Sequence, residues 1–413
     1  MKPSRIFLLD KWLGKPAAFC LTLAEGIRRL FSSPDRLPPR RIVFVKLIEM
    51  GSTVLACPAF SLAVEMVGKE NIFLLVFRTN RPIADLLPYF SPENVVEIDD
   101  SNFSRFLISL FRARGRLRRE KVDTAIDLEG LTRSSAVITW LTGARNRVGY
   151  ANFTSEGPYR GRLFNIKLNY TFQHHVSRTF ISLVRALESP AGQIPRVKEN
   201  VERYLDSLPS FTPPAAETEE LSVRLAALAG GTPGHPRVIL NANCSDLLPL
   251  RRWPEEYFVS LGREILSRYP ASVLVLTGTA AERPAVERLA AAIGDRGRCL
   301  NLAGMTTFRE LLTLYGLCDL LVSNDSGPCH FATLTPIKVI ALFGPETPLL
   351  YAPLGKNAVA VSAGLTCSPC VNILNHRFSP CRDNVCMRSI TVKTVMEKAC
   401  RLLDSRGERG SED

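Results

Sequence analysis

Twice along this chain, short runs rich in β-branched residues alternate with segments of helical composition, a pattern that few folds accept. The first series opens with Arg41-Ile42-Val43-Phe44-Val45-Lys46-Leu47-Ile48 and continues through 71–76, 95–98 and 124–128. The second opens at 237–241 and continues through 272–277, 320–323 and 338–343. Such runs are apolar at nearly every position, which suits parallel strands buried on both faces, with the helices between them as crossovers. The expected fold class is therefore α/β, with two Rossmann-like, doubly wound parallel-sheet domains facing across a cleft at the strands' carboxyl ends. A chain of 413 residues is too long for one core and fits two.

Between the two series the composition turns to Pro, Ser, Thr and Glu. This marks 207–220 as a linker, between an N-terminal domain at 41–206 and a C-terminal domain at 221–389. A helix and polar tail at 390–413 close the chain. Residues 1–40 stand apart as a basic, loosely amphipathic segment ended by prolines between 34 and 39. Two readings are open for it: a helix packed on the body, or a helix lying in the inner face of a membrane. No run of about 20 apolar residues offers a membrane span, and Asp10, Lys11 and Lys15 break what a secretion signal would keep apolar. The expected location is cytoplasmic, with peripheral attachment to the cytoplasmic membrane as an extension of the second reading.

Lys and Arg number 52 against 40 Asp and Glu, a net charge of +12 that favours anionic partners. Arg112, Arg114, Arg116, Arg118, Arg119 and Lys121 crowd one predicted helix, either as a solvated face or as a landing patch for an anionic acceptor or lipid headgroups. No nucleic-acid recognition motif accompanies the charge.

The densest chemistry lies in Ser323-Asn324-Asp325-Ser326-Gly327-Pro328-Cys329-His330. A strand ends, a short polar turn follows, and a helix begins. Asp325 is expected to cap that helix, and the amides of Ser326 and Gly327 to face an anion. Gly327 permits close approach of a ligand, and His330 can donate a charge-assisted hydrogen bond. Ser245 and Arg251 follow the strand at 237–241, where a second phosphate would lie. Glu282 follows the strand at 272–277, where a carboxylate can accept from ribose hydroxyls or simply favour a helix start.

These residues carry a family resemblance. Asp325 to His330 with Leu342-Phe343-Gly344-Pro345, Arg251-Arg252-Trp253-Pro254, Asp127-Leu128-Glu129-Gly130-Leu131 with Arg147-Val148-Gly149, and Met50-Gly51 with Pro58-Ala59 resemble the signature of the ADP-heptose:lipopolysaccharide heptosyltransferases. The resemblance implies the two-domain GT-B fold, a nucleotide-diphosphate-sugar donor such as ADP-heptose, and an anionic glycolipid acceptor. It also implies inversion at the sugar carbon and no required metal or other cofactor. Ser245, Arg251, Ser326, Gly327 and His330 would hold the diphosphate, and Glu282 the ribose.

One position departs from that pattern. Where the family carries the Asp taken as general base, this chain has Ser52. Glu49 is the acidic side chain on the same loop and the candidate replacement, since an inverting transfer needs a proton acceptor beside the attacking hydroxyl. Two alternatives stay open: a catalytically silent, membrane-associated nucleotide-sugar-binding relative, and a sugar-nucleotide epimerase of the same architecture. Near the C-terminus, Cys367, Cys370, Cys381 and Cys386 fit a structural zinc site by count and rough spacing, or a set of free thiols.

Overall fold

The computed structural model describes residues 10, 12–31, 38–130, 132–151, 159–190, 192–231, 234–244, 248–374 and 378–405. Ser245 and Leu131 lie outside these, as do 1–9, 32–37 and the tail from 406. The chain divides into two units, Met1–Ser207 and Leu208–Asp413.

The first unit opens with helix α1 (Gly14–Phe31). Strand β1 (Ile42–Val45) then leads to helices α2 (Met50–Leu55) and α3 (Cys57–Val67). Strands β2 (Ile72–Phe77) and β3 (Val95–Ile98) follow, then α4 (Phe103–Arg119), β4 (Thr124–Asp127) and α5 (Arg133–Leu141). Strands β5 (Asn146–Tyr150) and β6 (Ile166–Leu168) and helix α6 (Val176–Arg185) complete it. The strands run parallel in the order β3-β2-β1-β4-β5-β6. This is the doubly wound order, whose reversal falls between β1 and β4.

Burial explains why these segments are strands. Every residue of β1 and β2 is buried, so each apolar side chain contributes about 1.5–3 kcal/mol on either face of the sheet. On one face Val43, Val45, Phe73 and Ala125 meet Leu110, Ala113 and Leu117 of α4 and Ile138 of α5. On the other, Phe44 packs edge-on against Phe60 of α3, with ring centroids 4.9 Å apart. Helix α1 lies on α5, with Ala18 in a small core beside Ala136, Leu163 and Phe164.

The second unit repeats the plan. Helix α7 (Ala215–Ala229) precedes β7 (Arg237–Asn241), α8 (Glu255–Arg268), β8 (Val273–Leu276), α9 (Arg283–Ile293) and β9 (Cys299–Asn301). Then come α10 (Phe308–Leu317), β10 (Leu320–Asn324), the short α11 (Gly327–Phe331), β11 (Lys338–Phe343), β12 (Ala358–Ser362) and α12 (Val392–Asp404). Strand order is β12-β11-β10-β7-β8-β9, all parallel, with the reversal between β7 and β10. Trp253 is the largest side chain of this core and donates from Nε1 to the Ile390 carbonyl at 2.7 Å. Helix α7 begins at Ala215, inside the segment whose composition reads as linker. Pro214 is extended at its N-cap and Glu217 sits in its first turn, where a carboxylate favours the helix dipole.

Candidate functional site

In an open α/β sheet, ligands collect where the strand order reverses. In the second unit that point is the shared carboxyl end of β7 and β10, with β8 next to β7. Three asparagines tie these ends together. Asn324 Nδ2 donates to the Ala242 carbonyl at 2.9 Å, and its Oδ1 accepts from the Trp253 amide at 3.0 Å. Asn241 and Asn243 reach across to Thr277, at 3.0 Å to Oγ1 and 3.1 Å to the carbonyl respectively. A Cβ on Gly278 would stand 2.6 Å from Asn243 Nδ2, so a larger residue there would displace the Asn243 amide from Thr277. Asn324, Asn241 and Asn243 stand within or beside the sequence motifs, but the motifs gave them no role. A polar amide at a strand's last positions is the available signal, and it is a weak one.

Asp325 does not cap the motif helix. The N-cap is Ser326, with extended backbone and no capping side-chain bond, because Pro328 enters the first turn and the chain is still extended before it. Asp325 is buried and its amide joins the sheet, donating to the Leu342 carbonyl at 2.9 Å. Its carboxylate instead faces Arg251, whose Nη1 lies 3.5 Å away. The ligand atoms of Asp325, Cys329 and His330 all lie within 4.8 Å of one another, the one such three-residue group among the described residues. One buried carboxylate therefore draws a guanidinium and an imidazole to the same spot. Burial pushes the Cys329 thiol far up, and Asp325 adds to the effect, so this sulfur stays protonated and donates to the Ser326 carbonyl at 2.9 Å.

The amides of Ser326 and Gly327 have no hydrogen-bond partner among the described residues, leaving two donors beside Arg251 and His330. The helix they open is only Gly327–Phe331 before a 3-10 turn at Ala332–Leu334. Its dipole is correspondingly small, and individual amides matter more than the helix. Gly327 has a packing reason as well as a ligand one, since a Cβ there would sit 2.8 Å from the Phe331 ring. Glu282 closes a capping box: its Oε2 accepts from the Thr279 amide at 2.7 Å and from Thr279 Oγ1 at 2.9 Å. Its Oε1 makes no hydrogen bond among the described residues.

The first unit has its own switch point at β1 and β4. The carboxylate of Glu129 reaches back to the β1 loop, accepting at Oε1 from the Leu47 amide (2.6 Å), the Ile48 amide (3.0 Å) and Lys46 Nζ (3.1 Å). Lys46 also donates to the Ile48 carbonyl. The loop so held ends at Glu49, in a left-handed conformation at φ 65° that non-glycine residues seldom adopt. Such strain costs about 1–3 kcal/mol and persists where the surroundings enforce it. Glu49 and Ser52 are both half-buried, Glu49 at the N-cap and Ser52 in the first turn of α2. At the end of β4 Asp127 pairs with Arg160 and accepts from Ser135 Oγ at 2.8 Å. Burial raises its carboxyl to about 6 against the pull of Arg160.

No disulfide joins the four C-terminal cysteines. Cys367 and Cys381 are exposed, and Cys370 and Cys386 half-buried. Burial raises the Cys386 thiol, as do the nearby Cys370, Cys381 and Cys367.

Residues 110–377 match the model of glycosyltransferase family 9 (heptosyltransferase). Lipooligosaccharide heptosyltransferase 2 of Haemophilus influenzae is 28% identical over 252 residues, 60% of this chain and 67% of that protein. The Campylobacter jejuni protein of the same name is 27% identical over 155 residues, 37% of this chain and 47% of its own length, so the chain spans about half of that relative. Among solved structures, E. coli ADP-heptose lps heptosyltransferase II superposes with a TM-score of 0.67 at 18% identity, over 89% of this chain and 99% of that one. That likeness bears on the fold, and it agrees with the two doubly wound units of a GT-B protein. With a family model spanning well over half of its length, and with the paired switch points that such a fold requires, the chain belongs to glycosyltransferase family 9.

Proposed function

We propose that this protein transfers a sugar from a nucleoside-diphosphate donor, ADP-heptose in the first instance, to a hydroxyl of a lipopolysaccharide-type acceptor, with inversion and without a metal. The observation that carries the reading is the Asp325 carboxylate beside both Arg251 and His330, with two unused amides next to them. Such a cluster fits the two phosphates of a donor, which would otherwise need a cation to offset their charge. The unused Oε1 of Glu282 is free to accept from ribose hydroxyls while Oε2 keeps its cap. Ser245, which follows β7 in the sequence and lies outside the described residues, would add a hydroxyl.

In the proposed step the acceptor oxygen bonds to the anomeric carbon as the bond from that carbon to the phosphate oxygen breaks. The departing electron pair goes to the diphosphate, where Arg251, His330 and the amides of Ser326 and Gly327 stabilise it as it develops. The acceptor proton goes to Glu49, whose strained loop position supports that role. Ser52, at the place of the family's Asp, lacks a basic side chain.

Membership of a transferase family favours this reading over the epimerase. The silent relative predicts ADP binding without turnover. Calorimetry with ADP tests the donor site: binding by the parent protein that weakens in Arg251→Ala and His330→Ala is expected, and equal affinity in all three would remove the diphosphate from this place.

A further inference from the structure

In the first unit, β1 outruns its neighbour β4. The two keep register only as far as Val45 opposite Asp127, and the Leu128 amide adds one bond, to the Val45 carbonyl at 3.1 Å. The chain after β4 then turns away, with the Glu129 amide on Asp127 Oδ1 at 2.9 Å. That leaves the Leu47 and Ile48 amides without a strand carbonyl to bond, and a side chain supplies the acceptor instead: both donate to Glu129 Oε1. A carboxylate taken so far from water needs a countercharge. Lys46 provides it. Its side chain is 1% exposed and that of Glu129 6%, and Lys46 Nζ stands 3.1 Å from Oε1 while also donating to the Ile48 carbonyl. Replacing such a buried pair with apolar residues is often neutral or stabilising, so stability alone gives little reason for it to be here.

The ring formed by Lys46, Glu129 and Ile48 closes on the residue before Glu49. The peptide plane preceding Glu49 is held by Lys46 at the Ile48 carbonyl. The plane following it is held by the Thr53 amide, which donates to the Glu49 carbonyl at 3.2 Å. One residue upstream, the Leu47 carbonyl accepts from the buried Asn80 Nδ2 at 2.9 Å. With both flanking planes fixed, the Glu49 backbone is kept at φ 65°, a conformation it would leave if either plane were released.

We propose that the buried Lys46–Glu129 pair positions the base of the transfer, keeping Glu49 in the left-handed conformation that sets the direction of its carboxylate. This role rests on Glu49 being the proton acceptor. Neither Lys46 nor Glu129 meets the reacting atoms; both act through the Leu47 and Ile48 peptides and hence through Glu49. A reacting group displaced by about 1 Å loses about a hundredfold in rate, so the loop's fixed geometry bears directly on turnover.

The obvious variant, Glu129→Gln, leaves Lys46 as an unpaired buried cation and tests folding as much as position. Lys46→Met with Glu129→Gln avoids this. It buries no unpaired charge and keeps an oxygen for the two amides, but gives up the tie from Lys46 to the Ile48 carbonyl. The measurement is turnover of ADP-heptose with a heptose-deficient lipopolysaccharide acceptor by this neutral pair, by Glu49→Gln, and by the three substitutions together, all in the full chain. Melting temperature and calorimetry with ADP should match the parent protein, which establishes that the neutral pair is folded and its donor site intact. Its kcat should fall about tenfold to a hundredfold with the KM for ADP-heptose unchanged, because the released loop misplaces the base. In the Glu49→Gln background the neutral pair should cause no further loss, since no base remains to be positioned. A purely structural pair would lower turnover equally in both backgrounds. Parent-like kcat in the neutral pair, or a loss that multiplies with that of Glu49→Gln, would overturn the positioning role. Full turnover in Glu49→Gln would instead remove Glu49 as the base, and this role with it.

Discussion

Arg251 comes from a 3-10 turn after β7 and His330 from helix α11, and a single carboxylate, Asp325, gathers them. Removing either side chain should weaken ADP binding by about tenfold to a hundredfold, the scale of a hydrogen bond to a charged group. Asp325→Asn should weaken it as well, although it removes a negative charge from an anion site, because Arg251 loses its orienting partner; tighter binding of ADP in that variant would show that Asp325 merely repels. Glu49→Gln should lower turnover by about 10²–10⁴ with ADP affinity unchanged, and Ser52→Asp in that background should restore part of the rate. Full turnover in folded Glu49→Gln would move the base elsewhere. At this scale the sequence was informative about residue types and less so about partners. The cluster of Asp325, Ser326, Gly327 and His330 is local, and adjacency in the chain reveals it. The pairing of Asp325 with Arg251 depends on a contact across 74 residues that no local pattern encodes.

Among the elements, α1 and the β1 loop rest on buried charge. Burial alone would raise the Glu25 carboxyl, yet hydrogen bonds from Arg28, Trp140 and Arg29 and the charge of Arg147 outweigh it and bring it down to about 2. A depressed carboxylate contributes stability that is complete above its ordinary value near 4.5 and is lost as pH falls toward 2. Helix α1 should therefore loosen from α5 across that window, seen as increased proteolysis or hydrogen exchange in 14–31. Glu25→Ala should reproduce the loosening at neutral pH, at a cost of about 3–5 kcal/mol for leaving Arg147 buried without its partner. Exchange in α1 that does not change with pH in the parent and matches the variant at neutral pH would contradict the anchoring role. Periodicity indicated one or two amphipathic helices within 1–40. It did not indicate which face turns inward, because the inward face is chosen by small residues and one acid rather than by the apolar stripe.

At the scale of the whole molecule, two sheets with the same strand order account for a long chain without a single oversized core. That much was legible, since continuous apolar runs separated by helices leave the doubly wound sheet as the natural solution. The short edge strands β6, β9 and β12 were not, being three to five residues long and only partly apolar. Each sheet brings its polar residues to the carboxyl end of its two central strands, which is why motifs far apart in sequence fall into two groups. The account's central claim is that one group binds a nucleotide-diphosphate sugar for transfer. The direct measurement is ADP released from ADP-heptose by the purified chain, with and without a heptose-deficient lipopolysaccharide acceptor and in the presence of a chelator. The account predicts release that requires the acceptor, survives the chelator and falls with Arg251→Ala; ADP-heptose bound but never consumed when acceptor is supplied would contradict it.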